Sequence, residues 1–236
     1  MNVSAVIFDC DGVMFDSRQA NINFYNHILS RFGLPPMRAE GERFAHMHTA
    51  MESVNHIFRE SSYLKQAQEY RLHLNYTPFI QDMIIEPGLT KVLNFLKPNY
   101  GLAVATNRSN TIKRVLEENK LDLYFDIVVS SLDVKNPKPH PEPIYKILDF
   151  FKIGPDECIY IGDSEVDLDT CRAAGVTMIA YKNTDLSADM HIESLMDIKN
   201  ILHQADQAMY QAKKTGRNQY CSFSTMTVCN TNFKQH

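Results

Sequence analysis

Val6-Ile7-Phe8-Asp9-Cys10-Asp11-Gly12-Val13 is a short apolar run that stops abruptly at two carboxylates and a glycine. Branched and aromatic apolar residues bounded by Asp and Gly read as a buried strand running into a turn, so Asp9 and Asp11 fall just past a strand's carboxyl end. The same construction returns far along the chain, where Ile159-Tyr160-Ile161 is followed by Gly162-Asp163-Ser164-Glu165-Val166-Asp167. Carboxylates gathered at one place repel, and a fold that brings four of them together needs a cation. Hard oxygen donors of this kind suit Mg2+.

Two segments between these stretches supply what a phosphate site still lacks. Leu102-Ala103-Val104-Ala105 is another short apolar run, and it ends in Thr106-Asn107, a hydroxyl and an amide able to donate to phosphate oxygens. Pro137-Lys138-Pro139-His140-Pro141 places one cation in a stiff segment, because proline fixes its own φ and restricts the residue before it. Each feature alone has a plainer reading: Asp before Gly is turn chemistry, Thr106 an ordinary strand-end hydroxyl, and Lys138 a solvated lysine. Their order and joint occurrence favour the site.

Taken in order, Asp9-Cys10-Asp11-Gly12-Val13, Ala105-Thr106-Asn107, Asn136-Pro137-Lys138-Pro139-His140-Pro141 and Gly162 to Asp167 resemble the four motifs of the haloacid dehalogenase-like superfamily. The resemblance runs from about Val3 to about Leu202. Asp9-x-Asp11 is similar to the phosphatase form, since the dehalogenases and phosphonate hydrolases lack the second aspartate and the P-type ATPases carry threonine there. The phosphoglycolate phosphatase group is the most similar. The resemblance implies Asp9 as nucleophile and Asp11 as general acid and base, with Thr106, Asn107 and Lys138 binding the phosphoryl group. It also implies Mg2+ held by the Asp9 and Asp163 side chains and the main-chain carbonyl of Asp11, with Asp167 orienting Lys138 or a metal-bound water. A small phosphorylated metabolite is the expected partner. A β-phosphoglucomutase-like phosphotransferase and a non-catalytic binding or regulatory protein on the same core remain as alternatives.

Strand candidates at 3–8, 101–105, 127–129, 158–161 and 177–180 alternate with helical patterns at 90–96, 111–119 and 144–151. This alternation predicts an α/β fold, a Rossmann-like parallel sheet with helices on both faces. Residues 1–15 and 84–202 form this core. Between them, residues 16–83 lose their strand signal and carry helical patterns at 20–32, 40–58 and 63–74, which resembles an inserted helical cap hinged near Val13 to Ser17 and Asp82 to Pro87. Within the cap, Arg18, Arg43, His46, His48, Arg59 and Lys65 are candidates for the leaving group, as is Arg108 beside Thr106-Asn107. His46-x-His48 has the wrong spacing for one helical face.

A chain of 236 residues with 44% apolar side chains can bury such a core, and a net charge of -4 offers no basic footprint for nucleic acid. Cys10, Cys158, Cys171, Cys221 and Cys229 show no close pair of the zinc-site kind, so reduced thiols are expected, and Cys10 between two aspartates has a disfavoured thiolate. No run approaches membrane-spanning length, and the expected location is cytoplasmic. Residues 203–223, from Ala205 through Lys213-Lys214-Thr215-Gly216-Arg217-Asn218 to Phe223, resemble the last helix and strand of GGDEF domains, without the signature that cyclase chemistry needs. Residues 224–236 are polar and expected to be disordered.

Overall fold

The structure is a computed structural model that describes residues 3–214. Its organising element is β1 (Ala5–Phe8), in which every residue is buried. The chain then forms the short strand β2 (Phe15–Asp16) and the helices α1 (Arg18–Arg31), α2 (Ala39–Met47), α3 (Ala50–Ile57), α4 (Leu64–His73) and α5 (Thr77–Ile80), and returns through β3 (Ile84–Ile85). Alternation follows: α6 (Leu89–Leu96), β4 (Gly101–Ala105), α7 (Thr111–Glu118), β5 (Ile127–Val129), α8 (Glu142–Phe151), β6 (Cys158–Gly162) and α9 (Glu165–Ala174). The last elements are β7 (Thr177–Tyr181), β8 (Met190–Ile192) and α10 (Ile198–Lys214).

A strand apolar on both faces is stable only inside a sheet covered on both sides. β1 accordingly lies between β4 and β6 in a sheet of order β5-β4-β1-β6-β7-β8, with every pairing parallel. Successive side chains point to opposite faces. Val6, Phe8, Val104 and Ile161 pack on one face with α6, α7 and α10, whereas Ile7, Ala103, Ala105 and Tyr160 pack on the other with α8 and α9. Strands before β6 were added on one side of β1 and strands from β6 onward on the other. The switch point, where loops diverge and leave a crevice, is therefore at the carboxyl ends of β1 and β6.

Helices α1 to α5 are carried on the antiparallel ribbon of β2 and β3, which pairs Phe15 with Ile85 and Asp16 with Ile84. The cap has its own aromatic centre, in which the Phe24 ring contacts Tyr25, Tyr76 and Phe79. Helical pattern over 40–58 resolves into two helices, because Thr49 starts α3 with a capping box: its hydroxyl accepts from the Glu52 amide while the Glu52 carboxylate accepts from the Thr49 amide. The break leaves His46, Met47 and His48 at the end of α2 facing the core. β2, β3 and β8 were not expected, since two or three residues are too few to show a period. α10 continues through 203–214 without interruption, burying Ile198, Leu202 and Ala205. The expected strand at 219–223 and the tail at 224–236 lie outside the described residues. Among the described residues no helix is long and apolar enough to cross a membrane.

Candidate active site

Register brings the motifs together. Phe8 is level with Val104 on one side and Ile161 on the other, so Asp9 is level with Ala105 and Gly162, and Thr106 and Asp163 each lie one residue further along. Asp9 keeps the ladder for one more step, its amide donating to the Ile161 carbonyl at 2.9 Å.

Lys138 reaches the same place from the loop before α8, next to a cis peptide to Pro139. It is buried, and its Nζ donates to Asp9 Oδ1 at 2.8 Å, Asp167 Oδ1 at 2.6 Å and Tyr160 Oη at 3.0 Å. Burial works against the ammonium charge, but Asp167 and Asp9 outweigh it and raise the lysine's pKa. Asp167 stands in the first turn of α9, where Ser164 caps the helix. Its Oδ2 accepts from the Ser164 hydroxyl at 2.7 Å and the Ser164 amide at 3.2 Å, while Tyr160 donates to Oδ1 at 2.8 Å. Asp167 is thus saturated with donors. Burial alone would raise its pKa, yet Lys138 and these hydrogen bonds hold it below the usual carboxylate value.

Asp11 is held differently. Arg108 grips it bidentately, Nε to Oδ2 at 2.8 Å and Nη2 to Oδ1 at 2.6 Å, and the Ser17 hydroxyl also donates to Oδ1. Burial would raise the Asp11 pKa, but the Arg108 charge and the hydrogen bonds from Arg108 and Ser17 prevail and depress it. Asp9 behaves in the opposite sense: burial raises it strongly, Lys138 pulls it down, and Asp167, Asp163 and Asp11 push it up. Asp163 is likewise raised, by burial first, and is partly relieved by His46 Nε2 of the cap at 3.6 Å. That contact raises His46 in turn.

These groups line a cavity of about 340 Å3 between core and cap, walled on the cap side by His46, His48, Arg71, His73 and Tyr76 and on the core side by Thr106 to Thr111. Thr106 is buried, with its hydroxyl accepting from the Arg108 amide at 3.1 Å. Asn107 donates through Nδ2 to the carbonyls of Lys138 at 3.1 Å and Met47 at 3.4 Å, and its buried Oδ1 has no partner among the described residues. Among the cap candidates, His46 and His48 reach this cavity, because α2 ends at Met47 and the helical spacing rule no longer governs them. Arg18, Arg43, Arg59 and Lys65 do not line it. Tyr160, Ser17, Asn21 and Tyr76 were missed. A tyrosine or serine in a strand or at a turn carries no pattern that separates a site residue from a packed one.

Carboxylate oxygens of Asp9, Asp163 and Asp167 all lie within 4.8 Å of one another. Since Asp167 is already committed to Lys138, Tyr160 and Ser164, the oxygens left for a cation are those of Asp9 and Asp163. This all-oxygen set fits Mg2+, and both side chains have pKa values raised by burial and by neighbouring carboxylates, a penalty a divalent cation would relieve. Gly12 leaves the room: at φ +80° a Cβ there would come 2.0 Å from Asp163 Oδ2.

A doubly covered parallel sheet with a carboxylate cluster and a buried lysine at its switch point, roofed by a helical cap, defines a capped Rossmann-like α/β protein whose site suits a cation and a phosphoryl group. The profile of the haloacid dehalogenase-like hydrolase family matches residues 6–181, and the chain belongs to that family. A pyrophosphatase PpaX from Bacillus mycoides is 26% identical over 188 residues, covering 78% of this chain and 86% of that protein. A crystal structure of a HAD-superfamily hydrolase from Geobacter sulfurreducens PCA is 41% identical, with a TM-score of 0.71, covering 85% of this chain and 97% of that one. A predicted phosphoglycolate phosphatase from Haemophilus somnus shares the fold, with a TM-score of 0.73 at 19% identity over 86% of this chain and 99% of that one.

Proposed function

We propose that this protein is a Mg2+-dependent cytoplasmic phosphatase that hydrolyses a small phosphomonoester, phosphoglycolate-like or a sugar phosphate, through a phosphoaspartate on Asp9. The observation that carries this reading is the state of Asp9. Lys138 engages only its Oδ1, and among the described residues no hydrogen bond engages Oδ2, at the edge of a cavity that also holds Asp163, Thr106 and Asn107. A carboxylate with one oxygen anchored by a cation and the other open is arranged as a nucleophile. The names of the relatives, a pyrophosphatase and a predicted phosphoglycolate phosphatase, both describe transfer of a phosphoryl group to water, from an anhydride in the first and an ester in the second.

In the first step an Asp9 oxygen attacks phosphorus, and the bond to the leaving oxygen breaks with its electron pair going to that oxygen, which takes a proton from Asp11, a carboxyl that is protonated once it gives up the Arg108 contact that holds its pKa down. In the second, water attacks the phosphoaspartate and gives its proton to Asp11, and the bond from phosphorus to Asp9 breaks to restore the carboxylate. Thr106 and Asn107 bind phosphoryl oxygens, and Lys138 keeps its charge between Asp9 and the phosphoryl group. Mg2+, held by the side chains of Asp9 and Asp163 and the Asp11 carbonyl, would supply the positive charge that lets an anionic nucleophile meet an anionic substrate. Asp167 orients Lys138, and the cap excludes water.

The test is phosphate release from a panel of small phosphate esters, with Mg2+ and with EDTA, for wild type and Asp9→Asn in parallel. Release that needs both Mg2+ and Asp9 is expected. Undiminished release by Asp9→Asn would refute the nucleophile, and isomerised product without free phosphate would favour a phosphotransferase.

A further inference from the structure

β7 ends on a strained residue. Lys182 has φ +51°, in the left-handed region that a side chain with a Cβ adopts only at a cost, and it follows a strand. Lys120 and Lys152 also have positive φ, but they lie just past the ends of α7 and α8, where a left-handed residue is ordinary. Three contacts hold Lys182 in place. Its amide donates to the Ile192 carbonyl at 2.9 Å, its Nζ donates to Glu86 Oε2 at 2.7 Å, and the neighbouring Tyr181 hydroxyl donates to the same oxygen at 2.8 Å. Gly162 is level with Ala180, so a straight β7 would carry residue 183 about 7 Å beyond Asp163. The strand stops at Tyr181 instead. Past the turn at Lys182, Asn183 Nδ2 donates to the Asp163 carbonyl at 2.7 Å while its Oδ1 accepts from the Asp185 amide at 3.2 Å, two bonds that allow the side-chain amide only one orientation.

Asn183 completes the grip on the backbone of Asp163. On the other side Asp167 Oδ2 accepts from the Asp163 amide at 3.3 Å, so this residue is tied at amide and carbonyl, and its carboxylate is left to face Gly12 and the cavity. At the far end of the strut stands Glu86, the first residue after β3, the strand by which the chain leaves the cap. It is 8% exposed, and its amide donates to the Met14 carbonyl at 3.0 Å. A carboxylate at that depth stays satisfied only while Lys182 and Tyr181 keep their places, so the ribbon of β2 and β3 and the end of β7 move together. The cap's hinge and the loop that carries Asp163 are thereby joined through two successive residues. We propose that Asn183 is a positioning residue for the cation site, holding the Asp163 peptide so that its carboxylate meets Mg2+, and that Lys182 and Glu86 tie this setting to the hinge of the cap. This rests on the reading of Asp163 as a holder of Mg2+.

The experiment is calorimetric titration with Mg2+, together with thermal melts in EDTA, of wild type, Asp163→Asn, Asn183→Ala and Lys182→Gly. Wild type should bind Mg2+, and Asp163→Asn should lose that binding. Asn183→Ala should weaken it by about tenfold or more, the loss typical when a group that orients a metal ligand is removed, with the melting temperature in EDTA within about 3 °C of wild type. Lys182→Gly accepts the positive φ without strain but loses the tie to Glu86, and it should bind Mg2+ about threefold more weakly. Added to Asn183→Ala, it should have no further effect, because the strut is already cut. A merely structural Asn183 would lower the melting temperature in EDTA and leave the Mg2+ affinity of the folded protein within about twofold, which would overturn the proposal. In wild type alone, Mg2+ should slow hydrogen exchange of the Glu86 amide, at the far end of the strut, since coupling between two sites is reciprocal. Unchanged exchange there would overturn the tie to the hinge, whatever the variants do. Binding that Asp163→Asn abolishes and Asn183→Ala leaves intact would remove this proposal alone, whereas a wild type that binds no Mg2+ would remove the reading of Asp163 with it.

Discussion

Lys138→Met removes a buried charge while keeping most of the side chain's length, so the loss it causes is electrostatic and not a packing defect. Lys138 is 5% exposed and lies 2.6 Å from Asp167 and 2.8 Å from Asp9, neither of which has another cation as close. Taking one partner from a buried ion pair costs about 3–5 kcal/mol, because the remaining charge is left uncompensated. Here two carboxylates are left, but Asp9 already has a raised pKa and would take up a proton, which limits the loss to about 3 kcal/mol at neutral pH. The pH dependence has a definite sign. In wild type the raised lysine pKa gives stability that is complete below the lysine's unfolded value and is lost as pH rises through its folded value. In the variant both carboxylates bind protons more tightly when folded, so its stability recovers as pH falls toward the ordinary carboxylate range. The gap between the two proteins should be widest from neutral to mildly alkaline pH and narrow in acid. Urea unfolding in EDTA, followed by far-UV circular dichroism because the chain has no tryptophan, measures it. A double-mutant cycle with Asp167→Asn should return a coupling of about 1–3 kcal/mol. A loss below about 1 kcal/mol that does not vary with pH would refute the reasoning.

Gly12→Ala should weaken Mg2+ binding by at least about tenfold while the protein still folds, since the new methyl group competes with the Asp163 carboxylate for the same space at a positive φ; calorimetric titration with Mg2+ checks it. Mg2+ at a hundredfold excess over its Kd should stabilise the fold by about 2.7 kcal/mol, and a thermal melt should show the gain abolished in Asp163→Asn. The same gain should fade as pH falls, beginning above the ordinary carboxylate range, because the raised pKa values of Asp9 and Asp163 let protons compete with the cation early. Truncation after Leu202 keeps the buried Ile198 and Leu202 and loses Ala205, so phosphate release should persist with a small loss of melting temperature.

How much of this was legible in the chain depended on what kind of information each feature needs. Strand ends were legible because apolar runs stop at Asp9, Thr106 and Asp163, and in a parallel sheet with matched register a strand end is also a position in space. Lys138 was legible through its flanking prolines. The ribbon of β2 and β3 and the edge strand β8 were not, since a period cannot be read from two or three residues. The split of 40–58 into α2 and α3 had a signal in Thr49-x-x-Glu52, a capping box inside an otherwise helical pattern. His46 and His48 were candidates in the sequence, but the argument that set them on different faces applied helical spacing to two histidines between which the helix ends.

Partners of the side chains were a harder matter than positions. Arg108 and Asp11 are 97 residues apart, and nothing in either neighbourhood marks one as the other's counter-ion. Spacing rules work when an element's period carries both residues, and here one follows β1 and the other β4. What ties them is the exclusion of alternatives. Lys138, the other buried cation at these strand ends, is already divided among Asp9, Asp167 and Tyr160, and His46 leans on Asp163. Asp11 is the carboxylate left over and Arg108 the cation left over, so their pairing follows from charge balance across the whole crevice. A negatively charged ligand that enters this crevice also meets Arg71 on the cavity wall, a guanidinium whose Nε donates to the Gln68 amide oxygen and not to a carboxylate.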